Sequence, residues 1–174
     1  SGLELWRSDG TAKGTQRVAD LNPGRADALP SELTVWRDAL YFVANDGSHG
    51  FQLWKTQGDA QSTRRVSSVD AGPGTVVRQL TAAGRRLFFT ATSRAQGHEL
   101  WVTEGTPEST RLVKDIRPGA EDAGIANLTA LGDEVWFTAS DGRHGIELWK
   151  SDGTEAGTAM VKDIFPGNSS SSPR

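Results

Sequence analysis

The triplet Glu-Leu-Trp, once as Gln-Leu-Trp, recurs four times in this chain: Glu4-Leu5-Trp6, Gln52-Leu53-Trp54, Glu99-Leu100-Trp101 and Glu147-Leu148-Trp149. The tryptophans stand 48, 47 and 48 residues apart. A fixed period of roughly 20–50 residues marks a repeat architecture: each unit is too small to bury its own apolar face and covers it with the next unit. Residues that recur are therefore mostly scaffold. Whatever is particular to this protein falls where the copies differ.

Aligned on its tryptophan, the last copy reads as four strands. Residues 128–131 are a short apolar run, Gly132-Asp133 a turn, and residues 134–139 an aromatic and β-branched segment that suits a strand. After a turn at 141–145, residues 146–150 alternate apolar and polar with the period of two expected of a strand. Ser151-Asp152-Gly153-Thr154 turns the chain again, and residues 159–164 form a fourth strand closed by Pro166-Gly167. The other copies keep the plan. Strand two reads Leu40-Tyr41-Phe42-Val43-Ala44 and Leu87-Phe88-Phe89-Thr90-Ala91, strand four carries Val18, Val66 and Val113 where the last copy has Val161, and the closing turns are Pro23-Gly24, Pro73-Gly74 and Pro118-Gly119.

The predicted class is all-β: β-propeller blades of four antiparallel strands, about three and a half repeats of ~48 residues. The expected organisation is a single repeat domain, with a half repeat over 1–29 and full repeats over 30–77, 78–125 and 126–174, the last with a trailing linker. A half-open set of blades leaves bare sheet edges. The expectation is therefore a piece of a larger propeller, its ring completed by further repeats of the same polypeptide or by another copy. A three-fold β-trefoil is the alternative. The repeated tryptophan is expected between blades as core. Asp9 and Asp152 are expected to hydrogen-bond their own turns, because an Asp before a glycine accepts from the backbone two residues on.

Composition excludes several classes of function. Net charge is −3, with 19 Lys and Arg against 22 Asp and Glu, so no basic field for nucleic acid arises. The apolar runs are only a few residues long, so no membrane insertion is expected. There is no cysteine, which removes disulfides, thiol nucleophiles and cysteine metal sites.

Glu4-Leu5-Trp6-Arg7-Ser8-Asp9-Gly10-Thr11 and Glu147-Leu148-Trp149-Lys150-Ser151-Asp152-Gly153-Thr154, with Gly14-Thr15, Gly157-Thr158 and Val-Lys-Asp-Ile at 113–116 and 161–164, resemble the bacterial ELWxxDGT repeat family. The resemblance covers essentially the whole chain. It implies tandem repeats and a secreted or cell-surface location, and it carries over no ligand or catalytic residue. Copy two departs from the signature, with Gln52 for the glutamate and Gln57-Gly58-Asp59 for Asp-Gly-Thr.

No nucleophile elbow, phosphate loop, zinc-protease motif or dinucleotide fingerprint is present. Neither a cofactor nor a metal site is expected, and no catalytic residue is assigned. By analogy with propellers, a ligand would meet the face built by the linkers from strand four to strand one and the turns from strand two to strand three. The ligand-binding candidates there are Asp46, His49, Arg94, Arg117, Arg143 and His144, and the same face carries Arg25, Asp27, Arg78, Glu121, Asp122 and Asn168. The expected function is a non-catalytic binding or adhesion module that recognises glycan or protein. The alternatives are a self-assembling structural scaffold or coat component, and a hydrolase on a propeller platform.

Overall fold

A computed structural model describes residues 2–70, 76–171 and 173. The expected closing turn Pro73-Gly74 lies outside the described residues. Among those residues there is no helix, and the chain is all-β. A two-stranded hairpin of β1 (Trp6–Arg7) and β2 (Gln16–Arg17) comes first. Three four-stranded antiparallel sheets follow, each with its strands in chain order. The first sheet holds β3 (Ser31–Trp36), β4 (Ala39–Asn45), β5 (Phe51–Thr56) and β6 (Arg64–Arg65). The second holds β7 (Val77–Ala83), β8 (Arg86–Ser93), β9 (Gly97–Thr103) and β10 (Arg111–Lys114). The third holds β11 (Ala126–Leu131), β12 (Glu134–Ala139), β13 (Glu147–Ser151) and β14 (Ala159–Lys162).

The register repeats with the sequence. Strand two pairs with strand three so that Phe42 faces Trp54, Phe89 faces Trp101 and Phe137 faces Trp149. Successive strand residues point to opposite faces. Leucine and tryptophan of the triplet therefore pack against different neighbours. Leu5 and Val18 of the hairpin cluster with Phe42, Ala44 and Trp54 of the first sheet. Leu53 and Val66 of the first sheet cluster with Leu87, Phe89 and Trp101 of the second. Leu100 and Val113 of the second cluster with Val135, Phe137 and Trp149 of the third. Each leucine points forward along the chain of sheets and each tryptophan points back.

The four repeated tryptophans are not equally buried, although they occupy one position of the repeat. Trp149 is 6% exposed and Trp6 is 56% exposed, with Trp54 and Trp101 between them. Trp6 points to a side on which no earlier sheet stands among the described residues. The last sheet shows the mirror effect. Val161 is 43% exposed where Val66 is 0%, and Ile164 is 51% exposed where Ile116 is 4%.

Strand four is shorter than the sequence predicts. In the first sheet the ladder is diverted: Leu53 donates its N–H to the Ser67 hydroxyl at 2.8 Å, and the amides of Val66 and Ser67 both reach the Leu53 carbonyl. Strand one carries a bulge in all three sheets, with register breaks between Ser31 and Thr34, Arg78 and Thr81, and Ala126 and Thr129. The bulged residues Glu32, Gln79 and Asn127 have φ of 55°, 56° and 59°. Left-handed backbone at a non-glycine residue is strained and needs support from its surroundings. For Gln79 and Asn127 the support comes from the preceding sheet. Glu32 Oε2 accepts from Gln79 N at 3.0 Å, and Gln79 Oε1 accepts from Leu128 N at 3.4 Å. Strands β3, β7 and β11 run side by side, so the sheets converge on their first strands.

Candidate functional site

The repeated glutamate is a staple between strand three and the linker that leaves strand four. Glu4 accepts from Leu21 N and Asn22 N at 3.1 and 3.4 Å, and Glu99 accepts from Ile116 N and Arg117 N at 3.2 and 3.0 Å. Glu147 accepts from Ile164 N, Ser171 N and the Ser171 hydroxyl. Gln52 keeps the geometry with different chemistry: its oxygen accepts from Val69 N and Ser67, while its amide donates to Val69 O and His49 O. The linkers that form the candidate binding face are thus anchored from within.

Equivalent carboxylates need not behave alike. Burial pushes Glu99 up to about 7, the two amides it accepts from pull the other way, and Asp115 and Asp122 add to the upward push. Burial acts on Glu147 in the same direction, but the Ser171 hydroxyl and the amides it accepts from outweigh it, and its pKa falls below the usual range.

The turns after strand three come in two forms. Asp9 and Asp152 accept from the amide and hydroxyl of Thr11 and Thr154 at 2.7–2.9 Å, and these bonds hold both carboxyls below their usual range. The aspartates hydrogen-bond their own turns, as expected from the sequence. A Cβ at Gly14 or Gly157 would collide with these carboxylates, so glycine accompanies aspartate in both copies. The other two copies carry Ser62 and Ser109 at that position, with Gln57 and Glu104 in place of the aspartate. There the serine hydroxyl accepts a different amide of the turn, that of the residue in the aspartate's place: Gln57 N at 3.0 Å and Glu104 N at 3.1 Å. One hydroxyl pair survives in every copy: Ser8 with Thr15, Thr56 with Thr63, Thr103 with Thr110, and Ser151 with Thr158, at 2.6–2.8 Å. The threonine nine residues after each tryptophan was the sequence signal for it.

The six candidates do not meet at one point. Asp46 and His49 form a local clamp: Asp46 Oδ1 accepts from Ser48 N and His49 N, and its Oδ2 lies 2.7 Å from His49 Nδ1. Asp141 does the same for Arg143 N and His144 N, with 2.9 Å to His144 Nδ1. Arg143 lies in that clamp through its backbone and is exposed. Arg117 pairs with Glu121 and donates to the Asp122 carbonyl at 3.5 Å. Arg94 is tied through its amide to Asp70 O at 2.9 Å. Within the described residues no group of three His, Cys, Asp or Glu side chains is placed to hold a metal ion.

The hydrogen bond that His144 donates to Asp141 raises the pKa of His144. In an NMR titration His144 should protonate above the usual histidine range, and D141N should return it toward that range. An unchanged titration in D141N would contradict the clamp.

Among the described residues, two cavities lie toward this face. One of about 390 Å³ is lined by His49, Gln52, Arg65, Ser68 and Asp70 among others, and His49 is the only one of the six candidates on its wall. The larger, about 660 Å³, sits where the hairpin meets the first and second sheets. Its walls include Leu3, Leu29, Val43 and Phe51, and Glu32 and Arg78 bring opposite charges to it.

No family model, curated protein or solved structure matches this chain.

None of the six candidates lines the larger cavity. Of its polar groups, Arg78 lies on the face marked out from sequence. Glu32 escaped sequence reading because its left-handed bulge carries glutamate, glutamine and asparagine in the three sheets, with no glycine to announce it.

Proposed function

We propose that this chain is a non-catalytic binding module of propeller type, an exported bacterial protein of the ELWxxDGT repeat kind, and that it takes a glycan in the cavity of about 660 Å³. One observation carries the reading: the large cavity lies beside the linkers that lead into the first strands of the first and second sheets, and it combines apolar walls with a carboxylate and a guanidinium. Its volume is in the range of small-molecule sites. A sugar presents an apolar C–H face and a rim of hydroxyls, and this wall offers partners for both. The repeated register of the three sheets supports propeller blades, because the inner faces of successive sheets cover one another in the same way.

An oligosaccharide array read with the labelled protein tests the proposal. Binding should appear for one structural class, and R78A and F51A should each weaken it by about tenfold or more, the loss expected when a charged hydrogen bond or an aromatic contact is removed. R143A, on a residue outside the cavity, should leave it unchanged. Signal at background across the array, or equal loss in R143A, would count against the glycan site.

The scaffold reading has its own support in the apolar forward face of the third sheet, where Leu131 is 64%, Val161 43% and Ile164 51% exposed.

A further inference from the structure

One row of side chains sets the first sheet apart. Tyr41 of β4 stands opposite Lys55 of β5, and Lys55 stands opposite Arg64 of β6, so the three lie side by side on one face. The second sheet carries Phe88, Val102 and Arg111 in these places, and the third carries Trp136, Lys150 and Ala159. Lysine and arginine are therefore direct neighbours across the strands in the first sheet alone. Like charges set opposite each other in a sheet are destabilising. Lys150 is relieved by Glu134, 3.1 Å away. Lys55 instead donates to a neutral group, the Gly105 carbonyl of the second sheet.

The row walls a cavity of about 90 Å³, bounded by Tyr41, Lys55, Thr56, Gln57, Ser62 and Arg64 among others. Tyr41 is 4% exposed, and among the described residues no group accepts from its hydroxyl. A buried hydroxyl ordinarily has a partner. This is the chain's one tyrosine, where the other sheets place phenylalanine and tryptophan. A third cation is fixed beside the row: Arg37 donates to Glu104 O at 3.2 Å and to Arg85 O at 2.7 Å. Burial lowers the Lys55 ammonium below the usual lysine range, Arg64 and Arg37 push the same way, and Asp38 opposes them. Asp38 is the carboxylate on the cavity wall, and its Oδ2 accepts from Gln57 Nε2 at 3.0 Å. Glu104, across the interface, is turned to Arg86 at 4.0 Å. Three cations and one carboxylate thus stand around the row.

We infer that this cavity is a site for a single sulfate or phosphate group, held by Lys55 Nζ, the Arg64 guanidinium and the Tyr41 hydroxyl. Its volume is far below that of sites that enclose a whole small molecule, so it takes one charged group and no sugar ring. A dianion offsets the surplus of positive charge. Ammonium and guanidinium are the donors suited to its oxygens, and the phenol gains the acceptor it lacks. The same recognition serves a free ion and an ester group on a larger molecule. The site is separate from the cavity of about 660 Å³ and stands whether or not that cavity takes a glycan.

Calorimetric titration of the whole chain with sodium sulfate and with sodium phosphate, at an ionic strength held constant with sodium chloride, tests the site. Saturable binding of one ion per chain is expected. Y41F, K55V and R64A each install a residue that another sheet carries at that place in the row. K55V and R64A should each weaken binding at least about tenfold, the loss of a charge-assisted hydrogen bond, and Y41F by about threefold to tenfold. K150V alters the same row in the third sheet and should leave the affinity unchanged. The sulfate and phosphate esters of glucose, measured against glucose itself, separate the two sources. Esters that bind at least as tightly as the ions, with glucose inert, assign the group to a larger molecule, and tighter binding of the ions assigns a free ion. Absence of saturation with all four anions, parental affinity in both K55V and R64A, or an equal loss in K150V would each overturn the inference.

Discussion

Replacing Trp149 by alanine should lower the stability of the chain by about 3–5 kcal/mol, the range for removing a buried aromatic side chain. Trp149 is 6% exposed, belongs to the cluster joining the second and third sheets, and donates its indole N–H to Ala139 O at 3.1 Å. Its removal opens a cavity among Leu100, Val113 and Phe137 and leaves the Ala139 carbonyl without that donor. The same change at Trp6 should cost less than about 1 kcal/mol, because that side chain is 56% exposed and touches half an interface. Urea unfolding of W149A and W6A against the parent chain measures the contrast. Equal losses would mean that repeat position, rather than the neighbour across the interface, sets the role of the residue.

The second large effect is in pH dependence. Glu99 is 0% exposed and its pKa is raised from 4.5 to about 7. The folded chain then holds a proton that the unfolded chain has lost, so stability falls as pH rises from the unfolded value toward the folded one and is flat above it. The shift corresponds to about 3 kcal/mol between pH 4.5 and 8. Glu99→Gln cannot titrate, and the second repeat already carries Gln52 in the equivalent staple. The orphaned amide left in E99Q lowers stability by about 1–3 kcal/mol at every pH. The difference between E99Q and the parent should nevertheless move by about 3 kcal/mol in favour of E99Q from pH 4.5 to 8. Unfolding curves at four pH values across that window decide it. Parallel profiles for the two proteins would show that Glu99 is ionised in the fold at neutral pH.

These expectations divide by how much of each was legible along the chain. The period, the four strands per unit, the order of turns and the Asp-Gly-Thr hydrogen bonds depend on neighbours within a few residues. They follow from alternation and turn chemistry, and the strands β3–β14 stand where the sequence places them, with strand four cut short. The coupling of Asp9 with Gly14 and of Gln57 with Ser62 is also written in the sequence, but only as a pairwise pattern across five residues. His49 and His144 were marked as candidates because they sit on the variable face. Their geometry ties each to an aspartate three residues away, which makes them part of the turn before strand three.

What alternation and turn chemistry do not contain is which copy of a residue has a neighbour. Trp6 and Trp149 are the same letter at the same place in the repeat, yet one is open and one is core, because burial depends on the sheet that stands opposite. Glu99 and Glu147 accept from equivalent linkers and shift in opposite directions, because burial prevails at Glu99 while the Ser171 hydroxyl and the linker amides outweigh it at Glu147. The bulges at Gln79 and Asn127 have no glycine to signal them, and side chains of the preceding sheet hold the backbone at and beside them. The amino-acid sequence by itself determined the unit and its repetition, through forces that act within about fifty residues. The tertiary structure alone decided which faces are covered and where charge is buried. Both are properties of contacts between units.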